Sequence, residues 1–102
     1  MEVELISVDV PGIKIVLSGL PVLIGRSQTA DVRLGDTGMG EFQCIIERDE
    51  DGLTVVDLAG GLGTSVNGHR IRRASLMPGD RLRVGKSDFL VEYEREEELI
   101  FS

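Results

Sequence analysis

A chain of 102 residues, 41% hydrophobic and 28% charged, is long enough for one core and too short for two. Its formal net charge of −7 sets it against a phosphate backbone, which argues against nucleic acid as a main partner. No apolar run is long enough for a membrane helix, and no basic region precedes an apolar stretch at the N-terminus. The chain therefore reads as soluble and cytoplasmic, without direct membrane contact of its own.

From the N-terminus onward the hydrophobic pattern has period two. Val3 and Leu5 begin a first strand, Pro11-Gly12 turns, and Ile13, Ile15 and Leu17 mark one face of a second. Gly19 to Pro21 punctuates before Val22-Leu23-Ile24-Gly25-Arg26, an apolar strand that delivers one cation to a turn. Asp31 to Leu34 is a short strand, and a glycine-rich loop from Gly35 to Gly40 follows. Phe42 to Arg48 is the next strand, and the polar turn Asp49 to Gly52 leads into Leu53 to Leu58. The loop from Ala59 to Gly63 leads to Thr64–Val66. Asn67-Gly68 is the strongest hairpin signal in the chain, since both residues tolerate positive φ.

His69 to Arg72, Arg81 to Val84 and Asp88 to Tyr93 complete about ten or eleven short, mostly antiparallel strands. This spacing predicts an all-β, two-sheet sandwich. The expected core is Leu5, Ile15, Leu23, Phe42, Ile46, Val55, Leu82, Phe89 and Val91. The lone Cys44 cannot form an intramolecular disulfide and is expected to be a small core side chain in a reducing compartment. Residues 1–95 are read as the domain. Residues 96–102, acidic and then apolar, are read as a tail leading towards a longer chain or assembly.

The chemistry of an enzyme is missing. The one histidine, His69, follows the hairpin turn, and no His or Cys pair has zinc spacing. Asp49, Glu50 and Asp51 form a turn rather than a calcium loop, and the glycines from 60 to 63 lack the lysine and helix of a phosphate loop. No catalytic residue, metal or cofactor is expected. Arg70, Arg72, Arg73, Arg81, Arg83 and Lys86 cluster in sequence, giving a solvated sheet face or, more sharply, an anion-attracting one.

Three stretches together resemble the forkhead-associated (FHA) domain family, whose sandwich is FHA/SMAD-like. They are Ile24-Gly25-Arg26-Ser27 with Asp31-Val32-Arg33-Leu34; Asp57-Leu58 with Gly63-Thr64-Ser65-Val66-Asn67-Gly68; and Leu76-Met77-Pro78-Gly79-Asp80 through Gly85, followed by Phe89. The resemblance implies a protein-interaction module that binds phosphothreonine peptides through loops at one end. Arg26 matches the family's phosphate-binding arginine, an apt forked donor for phosphate.

The family's "S-R-x-H" falls on Gly40-Glu41-Phe42-Gln43, so the phosphate-binding serine is absent at Gly40 and an acid stands at Glu41. Gln43 replaces the bracing histidine but still offers a donor and an acceptor. Leu62 replaces the asparagine that would hold the peptide backbone, while Gly63 and Thr64 remain. Losing two such hydrogen bonds costs about 2–4 kcal/mol of binding.

The expected partner surface is thus Arg26, Ser27, Gly40, Glu41, Leu62, Gly63 and Thr64, contacting a protein or (phospho)peptide. The leading expectation is an eroded phosphothreonine cradle, with recognition independent of phosphate or weakly dependent on it. One alternative is true phosphothreonine binding through Arg26, with compensation from Ser27, Gln28, Thr29 or N–H groups near Gly38 and Gly40. Another is that Arg26 only pairs with Asp31, Asp36 or Glu41. A third is a structural role within a larger membrane or secretion assembly.

Overall fold

The computed structural model describes residues 2–94. In chain order the strands are β1 (Val3–Ser7), β2 (Lys14–Leu17), β3 (Val22–Gly25), β4 (Val32–Arg33), β5 (Cys44–Arg48), β6 (Leu53–Asp57), β7 (Thr64–Val66), β8 (His69–Ile71), β9 (Arg73–Leu76), β10 (Arg81–Val84) and β11 (Ser87–Glu92). They form two sheets, one ordered β2-β1-β11-β10-β7-β8 and the other β4-β3-β5-β6-β9. Among the described residues the strand pairings are antiparallel except β3 with β4, which run parallel. The sandwich expected from the alternating pattern is the fold observed.

Leu5, Leu17, Val66, Leu82, Val84, Phe89 and Val91 of the first sheet pack on Ile24, Cys44, Ile46, Leu53, Val55 and Leu76 of the second. Each such side chain contributes roughly 1.5–3 kcal/mol on burial. Turn chemistry fixes the register. Asn67 (φ 52°) and Gly68 (φ 85°) close the β7–β8 hairpin in the left-handed region, as their residue types demand. The Asn67 side chain then donates to Asp80 (3.0 Å) and accepts the Arg81 N–H (2.9 Å).

Two expected core positions lie elsewhere. Leu23 is only half-buried, because β3 points Val22 and Ile24 inward; an unbroken apolar run carries no alternation from which to read its phase. Phe42 is 45% exposed. Gln43 and Cys44 are consecutive and both fully buried, so the alternation breaks ahead of β5 and Phe42 turns outward. Ile15 is partly buried against the core, and Cys44 is fully inside it. The expected tail, 96–102, lies outside the described residues.

Candidate functional site

One end of the sandwich is built from the loops 26–31, 34–43 and 58–63 and the β10–β11 turn at Gly85-Lys86. The first two are joined backbone to backbone. The Arg26 N–H donates to the Gly40 carbonyl (3.1 Å), the Ser27 N–H to that of Glu41 (3.1 Å), and the Gln43 N–H to that of Ile24 (2.8 Å). This approach requires glycine at position 25, where a Cβ would stand 2.0 Å from the Glu41 carbonyl oxygen.

The 58–63 loop lies on the 34–43 loop just as closely. The Leu62 N–H donates to the Gly38 carbonyl (2.8 Å), and a Cβ on Gly40 would stand 2.5 Å from the Gly60 Cα.

Asp36 ties this assembly to the β10–β11 turn. It accepts the Gly38 N–H (2.6 Å), the Lys86 N–H (2.8 Å) and the Ser87 hydroxyl (2.6 Å). Burial would push its carboxyl up, but the Ser87 hydroxyl, the two N–H groups and the Lys86 charge outweigh that and hold it below the usual carboxylate range.

Beneath the loops runs a chain of polar side chains. Gln43, fully buried, accepts the Gly40 N–H through Oε1 (2.9 Å) and donates through Nε2 to Thr64 Oγ1 (3.2 Å). The Thr64 hydroxyl, also fully buried, donates to Asp57 Oδ1 (2.7 Å), whose other oxygen accepts the Ala59 N–H (3.2 Å). Both ends of the glutamine amide are therefore used, and each of the three elements is braced against the next.

Arg26 follows β3 and is exposed. The expected alternative pairing with Asp31, Asp36 or Glu41 is not formed: among the described residues its guanidinium has no hydrogen bond or ion pair. Asp31 instead accepts the Leu23 N–H (2.8 Å). Of the expected compensating side chains, Ser27 and Thr29 are engaged with each other, whereas the Gln28 amide is exposed and has no hydrogen bond among the described residues. The Ser27 hydroxyl accepts the Thr29 N–H (3.1 Å) and is paired with the Thr29 hydroxyl (2.9 Å). The Gly38 and Gly40 N–H groups are held by Asp36 and Gln43, so the nest expected from those two N–H groups does not form.

Leu62 is 58% exposed, and its Cδ1 lies with the Lys86 Cγ over Gly38. Arg26, Glu41 and Leu62 are thus presented at the surface, and Ser27 and Gly40 are partly covered. Gly63 and Thr64 are buried and support the loop from beneath. Among the described residues, no group of three or more His, Cys, Asp or Glu side chains is arranged to hold a metal ion, and no helix is long and apolar enough to cross a membrane.

Residues 22–85 match the family model of the FHA domain. The chain belongs to the FHA domain family. It is 36% identical over 69 residues to the FHA domain-containing protein FhaA of Mycobacterium tuberculosis (strain ATCC 25618 / H37Rv), covering 68% of this chain and 13% of that protein. The chain therefore spans about an eighth of the length of that relative.

Among solved structures, the FhaA FHA domain complexed with the intracellular domain of Rv3910 is 33% identical, with a TM-score of 0.78 over 88% of this chain and 99% of that one. A chain from a structural and functional analysis of phosphothreonine-dependent FHA domain interactions is 32% identical, with a TM-score of 0.82 over 92% of this chain and 98% of that one. FHA domains are protein-interaction modules, and these relatives bind partner proteins or act in phosphothreonine-dependent interactions.

The bracing roles of Asp36, Lys86 and Asp57 and the close approach of Gly40 to Gly60 are not among the expectations drawn from the sequence. Asp36 was findable, since an aspartate two residues before a glycine commonly accepts that residue's N–H. Its ties to Lys86 and Ser87 span about fifty residues and carry no local signal.

Proposed function

We propose that this FHA domain recognises a protein partner through its apical loops with little or no dependence on phosphate. One observation carries this reading: apart from Arg26 and the exposed Gln28 amide, the groups that would complete a phosphate cradle are absent or already bonded within the protein. Gly40 has no hydroxyl, the Gly38 and Gly40 N–H groups are engaged, the Ser27 and Thr29 hydroxyls are paired with each other so that only one O–H remains to donate, and exposed Leu62 stands where a backbone-holding amide is expected. The charges of Asp36 and Glu41 in the same loop further disfavour a dianion. A cytoplasmic setting fits the buried free thiol of Cys44, and the domain is taken as residues 1–95, before the tail 96–102.

The second reading, phosphothreonine binding through Arg26, is favoured by one feature: that guanidinium is exposed and unpaired among the described residues. Calorimetric titration with a phosphothreonine peptide library and its unphosphorylated counterpart separates the two. The proposed function expects affinities within about tenfold of each other, a difference of about 1.4 kcal/mol. Binding that requires the phosphate and disappears in Arg26→Ala establishes the second reading instead.

A further inference from the structure

We propose that the groove beside the 58–63 loop is a subsite for an acidic side chain of the partner polypeptide. The groove, of about 450 Å³, is lined by Asp57, Ala59, Arg70, Ile71 and Arg72. It lies where the chain crosses from β8 in one sheet to β9 in the other, and it adjoins the partner-facing loop at both ends. Ala59 is the second residue of that loop. At its far end Arg70 lies over Gly63, where a Cβ would stand 2.8 Å from Nε and 2.9 Å from Nη2. The inference rests on the proposed function, because it takes this loop as the partner-facing surface.

Asp57 does not neutralise the two arginines by pairing with them. Its oxygens accept from Thr64 and Ala59, and its N–H donates to the Arg72 carbonyl (2.8 Å), so it fixes the walls of the groove. Arg70 and Arg72 are exposed, and neither forms an ion pair among the described residues. Two such guanidinium groups on a chain of net charge −7 are local exceptions to its overall field.

Their charge, less that of Asp57, leaves one positive charge, which a carboxylate cancels. A phosphate dianion would leave an excess negative charge beside Asp57, so the groove suits a carboxylate better. Arginine forks match carboxylate geometry, and Ile71 and Ala59 provide apolar surface for the methylenes of a glutamate. Ala59 is held in the left-handed region (φ 60°) by its bond to Asp57, a strained backbone at the lip of the groove.

The test is selection of a random-peptide phage library on the full chain and on the double variant Arg70→Gln/Arg72→Gln, with the selected peptides mapped by amide shifts. Both arginines are exposed, and preserved amide spectra check that the variant folds. The expected result is an Asp or Glu at a fixed position in the consensus, lost from the consensus selected on the double variant. Replacing that acid by its amide should weaken binding to the unaltered chain about tenfold and leave binding to the double variant unchanged.

Peptides that shift the apical loops but carry no preferred acid, or an acid insensitive to the double variant, overturn the subsite and leave the proposed function standing. Shifts confined to a sheet face, or a library yielding no binder, overturn both.

Discussion

Gly40 and Gly60 meet backbone to backbone, so closely that a Cβ on Gly40 would stand 2.5 Å from the Gly60 Cα and 2.9 Å from the Gly61 nitrogen. Position 40 therefore differs from a phosphate-binding serine by more than one missing hydroxyl. The 58–63 loop occupies the space that a side chain at position 40 needs, and Leu62 closes it with a hydrogen bond to the Gly38 carbonyl.

Placing a serine at position 40 should consequently leave phosphopeptide affinity unimproved. Gly40→Ser pushes against backbone rather than a flexible side chain, and overpacking of this kind costs about 1–3 kcal/mol. For a domain of this size each kcal/mol lowers Tm by roughly 4–8 °C. Thermal unfolding and a phosphothreonine-peptide titration should show a destabilised protein with unimproved affinity. A variant of unchanged Tm that gains phosphopeptide binding would show that the loops separate readily.

Gln43 and Thr64 should behave as one unit. Gln43→Leu leaves the Gly40 N–H without its acceptor and the Thr64 hydroxyl without a donor, a loss of about 2–4 kcal/mol. Thr64→Val removes the hydroxyl that links Gln43 to Asp57 and should cost about 1–3 kcal/mol. A double-mutant cycle in urea should give a coupling of about 0.5–3 kcal/mol, and strict additivity would refute the chain of bonds.

The sandwich was legible because alternation, turn residues and three spaced signatures are local properties of the chain. Asn67-Gly68 shows why, since its residue types alone select the positive φ values observed. Arg26 was legible as an exposed cation after a strand for the same reason. Leu23 and Phe42 were misplaced where local pattern fails: at an unbroken apolar run, and at the consecutive buried pair Gln43 and Cys44. The engagement of Ser27 by Thr29, of Gly40 by Gln43 and of Gly38 by Asp36 was not legible. Sequence reveals which donors exist, but their commitment depends on loop geometry that long-range contacts impose.

Cys44 should report global unfolding rather than native chemistry. Burial, and then the charge of Asp57, push its thiol up to about 12, with the Thr64 hydrogen bond only partly opposing them. At about pH 8 the native thiolate fraction is then about one in ten thousand, against a substantial fraction for an unfolded thiol near its ordinary value of about 8.5. Iodoacetamide labelling should be very slow in buffer and fast in denaturing urea, with the native rate rising in Gln43→Leu as opening becomes easier. Rapid labelling of the native protein would contradict the buried placement. The same shift has a consequence for stability. A raised folded pKa gives stabilisation that is full below the unfolded value and lost as pH rises towards 12.

Asp36 should make the apical loops acid-labile, and the sign follows from its lowered pKa. A carboxylate depressed in the folded state stabilises fully above its unfolded value of about 3.9, and the stabilisation is lost as pH falls through the folded value. Protonation replaces one acceptor oxygen by a donor, while the Gly38 N–H, the Lys86 N–H and the Ser87 hydroxyl all still need acceptors. Asp36→Asn imposes a similar deficit at every pH, because the amide offers one acceptor oxygen where the carboxylate offers two. The variant should therefore be less stable than the unaltered protein at neutral pH, and the gap should close below the folded pKa of Asp36. Asp49, also held below the usual range, chiefly by the Thr54 hydroxyl, contributes acid sensitivity to both proteins and cancels in the difference. Urea midpoints measured from about pH 7 to about pH 2.5 test this directly. Convergence accompanied by shifts of the Gly38 and Lys86 amide signals supports the latch, whereas a constant gap shows that the ionisation of Asp36 does not hold the loop.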